Sequence, residues 1–313
     1  MQVVVIGGAG VLGQALLRAI VARGVLTRSD AVLAPVRRVI AVDRSQPPRL
    51  FVEPRVEYVR ADPATPRLLQ AVMGTATDSV FHAWDSGAGA CRSTPSFALA
   101  DSLRDVFAAC QLQSSRPKVV LASSFTADCR GGSAPNPARA LPASQSGLTA
   151  LVGELLLEEA TRRGQVDGRS LRLPMIAAAP GCAEFLGELV AALHDGRAAR
   201  CPIPPDAPLW VTSAPAAARA LVHAHELPAA AWAEAGVLNA PASTVSVEAL
   251  LHAMARSAGR PIESPAPDPD PSLCDALEHC PHRVAVDTAL TLGFEDGPDA
   301  DALIRDLVTT PDQ

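Results

Sequence analysis

A glycine-rich segment that directly follows an apolar run is the strongest constraint on the fold of this chain. Residues 3–6 read Val-Val-Val-Ile, and glycines follow at Gly7, Gly10 and Gly13. The apolar run is typical of a buried strand, and residues 11–23 have the apolar spacing of a helix. A strand, a glycine-rich turn and a helix in this order predict a dinucleotide-binding fold, because the turn lets a helix N-terminus face phosphate groups.

The first half of the chain alternates strand-length apolar runs with segments of helical spacing. Beyond the N-terminal strand, we predict strands over 39–42, 56–59, 79–82, 119–123 and 171–178. Helices are predicted through Leu103, Val106 and Phe107 and over 146–162. Strands that alternate with helices of this length form right-handed βαβ units. The expected fold class is therefore α/β, a Rossmann-type doubly wound parallel sheet.

The second half has a different composition. Prolines cluster near residue 204 and again over 261–271, which we expect to be a loop or linker. Helices are predicted over 214–224, 247–257 and 299–308. We therefore divide the chain into a core, residues 1–178, and a smaller C-terminal cap, residues 179–313. The cap is expected to bind substrate, and some of its elements are expected to return to the core.

Composition narrows the class of protein and its partners. The chain has 313 residues, of which 48% are hydrophobic, and its net charge of −6 includes no basic run. We therefore expect a globular protein that binds a small molecule and neither nucleic acid nor membrane. No apolar stretch reaches the ~20 residues of a membrane span. The seven cysteines form no CxxC pair. Together with the absence of a charged leader, this predicts reduced thiols, no metal and a cytoplasmic location.

The glycine-rich segment predicts how the N-terminal region holds a cofactor. Gly7 allows the tight turn, Gly10 lets the backbone approach a pyrophosphate, and Gly13 permits close packing of helix on strand. The first helical residues, Val11 and Leu12, would offer their amides to the phosphates. The alternative is a glycine-rich turn that serves packing alone.

Polar residues at the ends of three later strands extend this predicted site. Asp43 ends the second core strand, where a carboxylate holds a ribose hydroxyl and repels a 2′-phosphate. NAD is therefore expected rather than NADP, although the neighbouring Arg44 leaves NADP open. Asp62 follows the next strand, where the adenine amino group finds an acceptor. His82 and Ala83 end the fourth strand and are expected to lie beneath the cofactor.

Four segments carry a resemblance to a known family: 7–13 (Gly-Gly-Ala-Gly-Val-Leu-Gly), 81–83 (Phe-His-Ala), 123–124 (Ser-Ser) and 153–157 (Gly-Glu-Leu-Leu-Leu). The chain resembles the extended short-chain dehydrogenase/reductases, the NAD-dependent epimerase/dehydratase superfamily. Segments 201–210 and 223–228 are similar to its D-erythronate dehydrogenase branch, whose members oxidise a sugar acid with NAD. The resemblance implies a Rossmann core with a substrate cap, and a homodimer joined by paired helices.

The resemblance also shows that this chain lacks two residues of the family's proton relay. It implies an active-site hydroxyl at Ser124, a tyrosine at position 146 and a lysine at position 150, which together relay a proton. This chain has Ser146 and Ala150 there, and its one tyrosine, Tyr58, and one lysine, Lys118, lie elsewhere. An aliphatic hydroxyl is far less acidic than a phenol, so Ser146 cannot replace the tyrosine directly. Ser146 stays a candidate site residue, because its hydroxyl at the start of this helix is placed to bind a ligand.

Three functions remain open from the sequence. Our first interpretation is a non-redox biosynthetic enzyme of a bacterium, a cyclase, isomerase or lyase, in which Ser124 binds the oxygen of a small carbonyl or hydroxy compound. The second is an NAD-dependent oxidoreductase of a hydroxy or sugar acid, with a relay moved to Asp85, Asp128 or water. The third is a non-catalytic NAD-binding scaffold. For Asp85 the alternative is a solvated loop acid or a helix cap.

Overall fold

The structure is a computed structural model that describes residues 1–47, 51–83, 97–128, 142, 144–177, 184–278, 280 and 282–309. Its strands are β1 (Gln2–Ile6), β2 (Val25–Thr27), β3 (Leu33–Pro35), β4 (Arg38–Asp43), β5 (Val56–Arg60), β6 (Thr77–His82), β7 (Lys118–Ser124), β8 (Asp167–Leu173), β9 (Met175–Ile176), β10 (Arg200–Cys201), β11 (Leu209–Thr212), β12 (Leu238–Asn239), β13 (Ser243–Val245) and β14 (Ala266–Pro267).

Its helices are α1 (Val11–Arg23), α2 (Leu68–Met73), α3 (Ala98–Cys110), α4 (Gln145–Arg162), α5 (Glu184–His194), α6 (Ala214–Glu226), α7 (Ala229–Ala235), α8 (Val247–Ala258), α9 (Pro271–Glu278), α10 (Asp287–Thr291) and α11 (Ala300–Thr309). A 3-10 helix over Phe125–Asp128 follows β7. Among the residues just described, no helix is long and apolar enough to cross a membrane.

Seven strands form one sheet in the order β12-β8-β7-β6-β1-β4-β5, and every neighbouring pair runs parallel. The order reverses at β1, which lies between β4 and β6. Ile6 at the end of β1 is opposite Val42 on one side and His82 on the other. The predicted doubly wound fold is confirmed, and its strand order opens a crevice at the carboxyl end of β1.

Alternating side chains of β1 build the two layers of core. Val3 and Val5 face the side covered by α1 and α6, and Val4 and Ile6 face the side covered by α3 and α4. All four are fully buried. Burial of each such side chain stabilises the fold by about 1.5–3 kcal/mol, so the apolar run that predicted the strand also fixes its place at the centre.

A third hydrophobic cluster joins β9, β11 and β13 to α5, α8 and α11. At its centre, the Trp210 ring is 1% exposed and meets Phe125 edge-on, with ring centroids 5.4 Å apart. Two elements of the second half, α6 and β12, pack instead on the parallel sheet. The division of the chain at residue 178 stays a prediction.

The predicted strand over 171–178 differs from what is observed. The strand β8 begins earlier and ends at Leu173, and β9 resumes at Met175 in another sheet, beside Val211 of β11. Pro174 lies between the two strands and has no amide hydrogen to continue a ladder. A second difference concerns the predicted loop at 261–271, where Ala266–Pro267 pairs with β10.

Candidate functional site

The glycine-rich turn after β1 has the conformation that its glycines predict. Gly7 has φ of 86°, in the left-handed region that favours glycine. The amides of Gly7 and Gly8 both donate to the carbonyl oxygen of Val42, at 2.8 and 3.2 Å, which joins the turn to β4. A Cβ atom on Gly13 would lie 2.0 Å from the Gly7 oxygen. The fold itself therefore requires glycine at positions 7 and 13.

Gly10 has a different role, because the fold leaves room beside it. Among the described residues, a Cβ atom there would meet only the Gly7 oxygen, at 3.5 Å. Gly10 is the N-cap of α1 and supplies no capping side chain, and the first bond within the helix runs from the Gln14 amide to the Gly10 oxygen. The amides of Val11 and Leu12 therefore have no acceptor inside the helix. Their donors and the positive helix end fit the pyrophosphate of NAD.

Two carboxylates lie at neighbouring strand ends, as predicted. The half-buried Asp43 accepts from the Ala9 amide at Oδ2 and from the Ser45 amide at Oδ1, each at 3.0 Å. Each carboxylate oxygen has a second lone pair, which leaves room for a ribose hydroxyl. Asp62 is exposed and accepts from the Ala64 amide at 2.9 Å, so it also shapes the loop after β5.

His82 lies at the end of β6, but its side chain turns into the core. The ring is 1% exposed, and Nε2 lies 2.9 Å from the Ser102 hydroxyl of α3. Burial lowers the pKa of His82 to about 4, so the ring is neutral at pH 7. The next residue, Ala83, donates its amide to the Ile6 oxygen at 2.8 Å, beside the glycine-rich turn. A contact of His82 and Ala83 with the cofactor stays a prediction.

Ser124 ends β7 and lies close to the start of α4. Its hydroxyl is 2.7 Å from the Thr126 hydroxyl and accepts from the Thr126 amide at 3.2 Å, so it caps the 3-10 helix. Gly147 in the first turn of α4 packs against that helix, because a Cβ atom there would lie 2.2 Å from the Thr126 carbonyl oxygen. The fold therefore brings Ser124 beside the helix that carries Ser146.

The positions of the expected proton relay hold no ionisable group. Ser144 caps α4, and its hydroxyl lies 3.0 Å from that of the exposed Ser146. Ala150, one turn further along, is 9% exposed. Tyr58 lies in β5. Lys118 begins β7, at the opposite end of that strand from Ser124. Neither residue can act on a substrate held near Ser124.

A buried ion pair that sequence reasoning missed lies one turn beyond Ala150. Glu154 is 3% exposed and binds Arg172 of β8 through two hydrogen bonds of 2.8 Å. Ser123 donates its hydroxyl to the same carboxylate. A glutamate within the apolar segment of α4 was the available signal, since a buried carboxylate requires a partner.

The amino edge of the sheet, far from the glycine-rich turn, holds a buried polar cluster. Lys118 donates to the carbonyl oxygen of His225 at 2.8 Å. The His225 ring binds Ser79 through Nε2 and Glu226 through Nδ1, also at 2.8 Å. Burial lowers the pKa of Lys118 to about 8 and lowers that of His225. Burial raises the pKa of Glu226, but hydrogen bonds from His225 and Thr27 outweigh it and bring the value to about 2.

Two predicted catalytic residues are not placed. Asp85 lies outside the described residues, and of Asp128 only the backbone, in the 3-10 helix, is described. Within the described ranges, no group of three or more histidine, cysteine or acidic side chains is arranged to hold a metal ion. Of the described cysteines, Cys110, Cys201 and Cys274 have free thiols.

Known proteins match this arrangement over nearly the whole chain. The model of the NAD dependent epimerase/dehydratase family matches residues 3–243. D-erythronate dehydrogenase of Cupriavidus necator is 30% identical over 97% of both chains. D-erythronate dehydrogenase of Haemophilus influenzae is 26% identical over 94% of this chain and 95% of that protein.

A solved structure supports the same fold. The nucleoside-diphosphate-sugar epimerase of Agrobacterium tumefaciens has a TM-score of 0.82 and 23% identity, over 99% of this chain and 94% of that one. Together these matches confirm the resemblance drawn from the motifs, and the description of the family confirms NAD as the predicted cofactor.

Proposed function

Since the chain belongs to the NAD dependent epimerase/dehydratase family, we propose that it is an NAD-dependent oxidoreductase that acts on a small hydroxy acid. The observation that carries the proposal is the 30% identity to a D-erythronate dehydrogenase over 97% of both chains. Such a match includes the second half of the chain, where substrate is expected to bind. The non-redox activity favoured from the sequence alone has no such support.

Different described residues bind the pyrophosphate, the ribose and the substrate. The first turn of α1, with Val11 and Leu12, holds the pyrophosphate, and Asp43 holds a ribose hydroxyl. NAD, when bound, supplies the hydride acceptor. Ser124 at the end of β7 binds the substrate hydroxyl and orients its C–H bond. This arrangement uses the carboxyl ends of the strands, where doubly wound folds bind ligands.

The proton that leaves the substrate hydroxyl needs a path that avoids the lost tyrosine. Ser124 and Thr126 form a hydroxyl pair 2.7 Å apart, and both side chains are half-buried. Neither hydroxyl titrates near pH 7, so the pair passes a proton onward rather than storing it. The final acceptor is water or a carboxylate such as Asp85 or Asp128.

A steady-state assay with NAD and D-erythronate, read by the near-ultraviolet absorbance of the reduced cofactor, tests this function. Ser124→Ala and Thr126→Val should each reduce the rate by about tenfold or more. The matched control is Thr149→Val, since the Thr149 hydroxyl bonds the Gln145 oxygen within α4 and should leave the rate unchanged. Absence of reduced cofactor across a panel of small hydroxy acids would contradict the proposal.

One observation favours a second candidate, a non-redox enzyme in the same cleft. Ser146 and Ala150 stand at both positions of the relay, and losing a positioned acid/base group costs ~10²–10⁴-fold in rate. The two candidates differ in whether the redox state of NAD changes during turnover. Proton NMR of a reaction mixture would show product with NAD unchanged for the non-redox enzyme, and reduced NAD in proportion to product for the oxidoreductase.

We also propose that the protein forms a homodimer through α4. Leu148 and Leu155 are 50% and 56% exposed and lie two turns apart on one face of that helix. Covering both with a second copy would remove apolar surface from water. Leu148→Glu with Leu155→Glu should halve the mass measured by light scattering. Leu33→Glu, which changes a leucine 60% exposed on β3, is the control and should leave the mass unaltered.

A further inference from the structure

One peptide group of the glycine-rich turn is held at both ends. The carbonyl oxygen of Gly8 accepts a 2.6 Å hydrogen bond from Nε2 of Gln14. The amide of the next residue, Ala9, donates to Asp43 at 3.0 Å. The peptide plane between Gly8 and Ala9 therefore has one orientation, with its carbonyl directed at Gln14.

The direction of the Gln14 amide is fixed by chemistry. Its side chain is only 8% exposed, and its partner, the Gly8 oxygen, can only accept. The amide nitrogen must therefore face the turn, since the reversed amide would place two oxygens against each other. The Oε1 atom of Gln14 is buried and has no partner among the described residues. Gln14 thus leaves one acceptor unsatisfied while it binds the turn.

The same nitrogen of Gln14 also reaches the only tyrosine of the chain. It donates to the Tyr58 hydroxyl at 3.2 Å, and that hydroxyl donates to the Phe51 carbonyl oxygen at 3.3 Å. The Phe51 ring in turn packs under the Arg18 guanidinium of α1, 5.4 Å from its centroid. A chain of contacts therefore runs from the segment before β5, through Tyr58 and Gln14, to the glycine-rich turn.

We propose that Gln14 and Tyr58 are positioning residues for the cofactor pyrophosphate. They hold the Gly8 carbonyl away from the phosphates, so that the amides of the first turn of α1 alone face the bound anion. Without Gln14, only the bond from Ala9 to Asp43 holds this peptide. Its rotation would direct the Gly8 carbonyl oxygen at the pyrophosphate, where the negative end of the peptide dipole repels the anion. The only tyrosine has thus a place in the cofactor site, although none in a proton relay. This inference rests on the proposed binding of NAD.

Calorimetry with NAD on Gln14→Met and Tyr58→Phe tests the proposal. Loss of the hydrogen bond that orients the Gly8 carbonyl should let this carbonyl repel the charged ligand, so Gln14→Met should raise the Kd for NAD by about tenfold. Tyr58→Phe removes a partner of Gln14 and should raise the Kd by about threefold. Binding of adenosine, which has no phosphate, should be unchanged in an NMR titration of each variant.

Gln113→Met is the matched control. Gln113 also binds a glycine carbonyl, that of Gly74 at 2.7 Å, but at the amino edge of the sheet. The control should lower the melting temperature as Gln14→Met does, yet keep the affinity for NAD. The single tyrosine gives a direct signal as well. With ¹³Cζ-tyrosine, the one Tyr58 resonance should shift when NAD binds to the unmodified protein and should not shift in Gln14→Met.

The outcomes separate this inference from the proposed function. If the unmodified protein binds NAD and Gln14→Met binds it equally well, the positioning role is wrong and the function stands. Equal weakening of NAD and adenosine would show general damage and would also overturn the role. If the unmodified protein does not bind NAD, both the inference and the proposed function are wrong.

Discussion

The Nζ atom of Lys118 donates a 2.8 Å hydrogen bond to the carbonyl oxygen of His225 at the amino edge of the sheet. The only lysine of the chain is therefore a structural residue, 3% exposed, that joins the start of β7 to the end of α6. The lysine that a family relay needs has not moved to another place in the cleft.

We expect Lys118 to titrate near pH 8, because burial, reinforced by the charge of Arg169, lowers its pKa from 10.5 to about 8. Between these values the unfolded state binds more protons than the folded state, so Lys118 makes the free energy of unfolding rise with pH across this window. Protein labelled with ¹³Cε-lysine should show one resonance that titrates near pH 8. A midpoint close to 10.5 would contradict the burial of the ammonium group.

His82 should make the protein sensitive to acid. Its pKa falls from 6.5 in the unfolded chain to about 4 in the fold, so the unfolded state binds more protons between these values. The free energy of unfolding should fall on the order of 3 kcal/mol as pH drops through this window. Urea denaturation at several pH values should show that the free energy of unfolding falls less steeply with decreasing pH in His82→Gln than in the unmodified protein. An equally steep fall for His82→Gln would contradict this prediction.

Alanine at Gly10 should weaken NAD binding, whereas alanine at Gly13 should destabilise the fold. Gly10→Ala fits the described part of the fold, since the nearest described atom to its Cβ is the Gly7 oxygen at 3.5 Å, but the methyl group occupies the approach to the pyrophosphate. Its melting temperature should be unchanged, and its affinity for NAD should fall by about tenfold or more. Gly13→Ala places a Cβ 2.0 Å from the same oxygen and should lower the melting temperature itself. Normal NAD binding by Gly10→Ala would place the pyrophosphate elsewhere.

Asp43 should select NAD over NADP. A carboxylate at the ribose position repels the 2′-phosphate, and its two hydrogen bonds to Ala9 and Ser45 hold it in place. Asp43→Asn removes the charge and keeps an oxygen for one of these amides. Calorimetry should show weaker binding of NAD and tighter binding of NADP to this variant. The prediction fails if the unmodified protein already prefers NADP.

The periodicity of the sequence was enough to predict the framework. The apolar run of β1 and the helical spacing of α1 depend on residues close in sequence, and both elements end where expected. The short helix α2 was missed for a physical reason. Its N-cap, Arg67, has φ of 63° and no capping side chain, and Asp105 of α3 accepts from the amides of Arg67 and Leu69 instead. A cap supplied from 36 or more residues away leaves no local signal.

The candidate site could be predicted only where its contacts depend on residues close in sequence. Gly7, Gly10 and Gly13 act through the backbone, so their spacing alone indicates the turn. The Gln14–Tyr58 contact joins α1 to β5 across 44 residues and depends on side-chain directions that no spacing fixes. The Glu154–Arg172 pair likewise joins a helix to a strand, and only the burial of a glutamate hinted at it.

The buried cluster at the amino edge also bears on how active sites are recognised by geometry. Ser79, His225 and Glu226 are linked hydroxyl to imidazole to carboxylate at 2.8 Å, the connectivity of a hydrolase triad. Yet Ser79 and the His225 ring have no exposed surface, so no ester or peptide can reach the hydroxyl. A template search by interatomic distance would report a serine hydrolase in this Rossmann-type fold. Access of substrate to the nucleophile, rather than the spacing of the three groups, distinguishes a catalytic triad from a buried structural link.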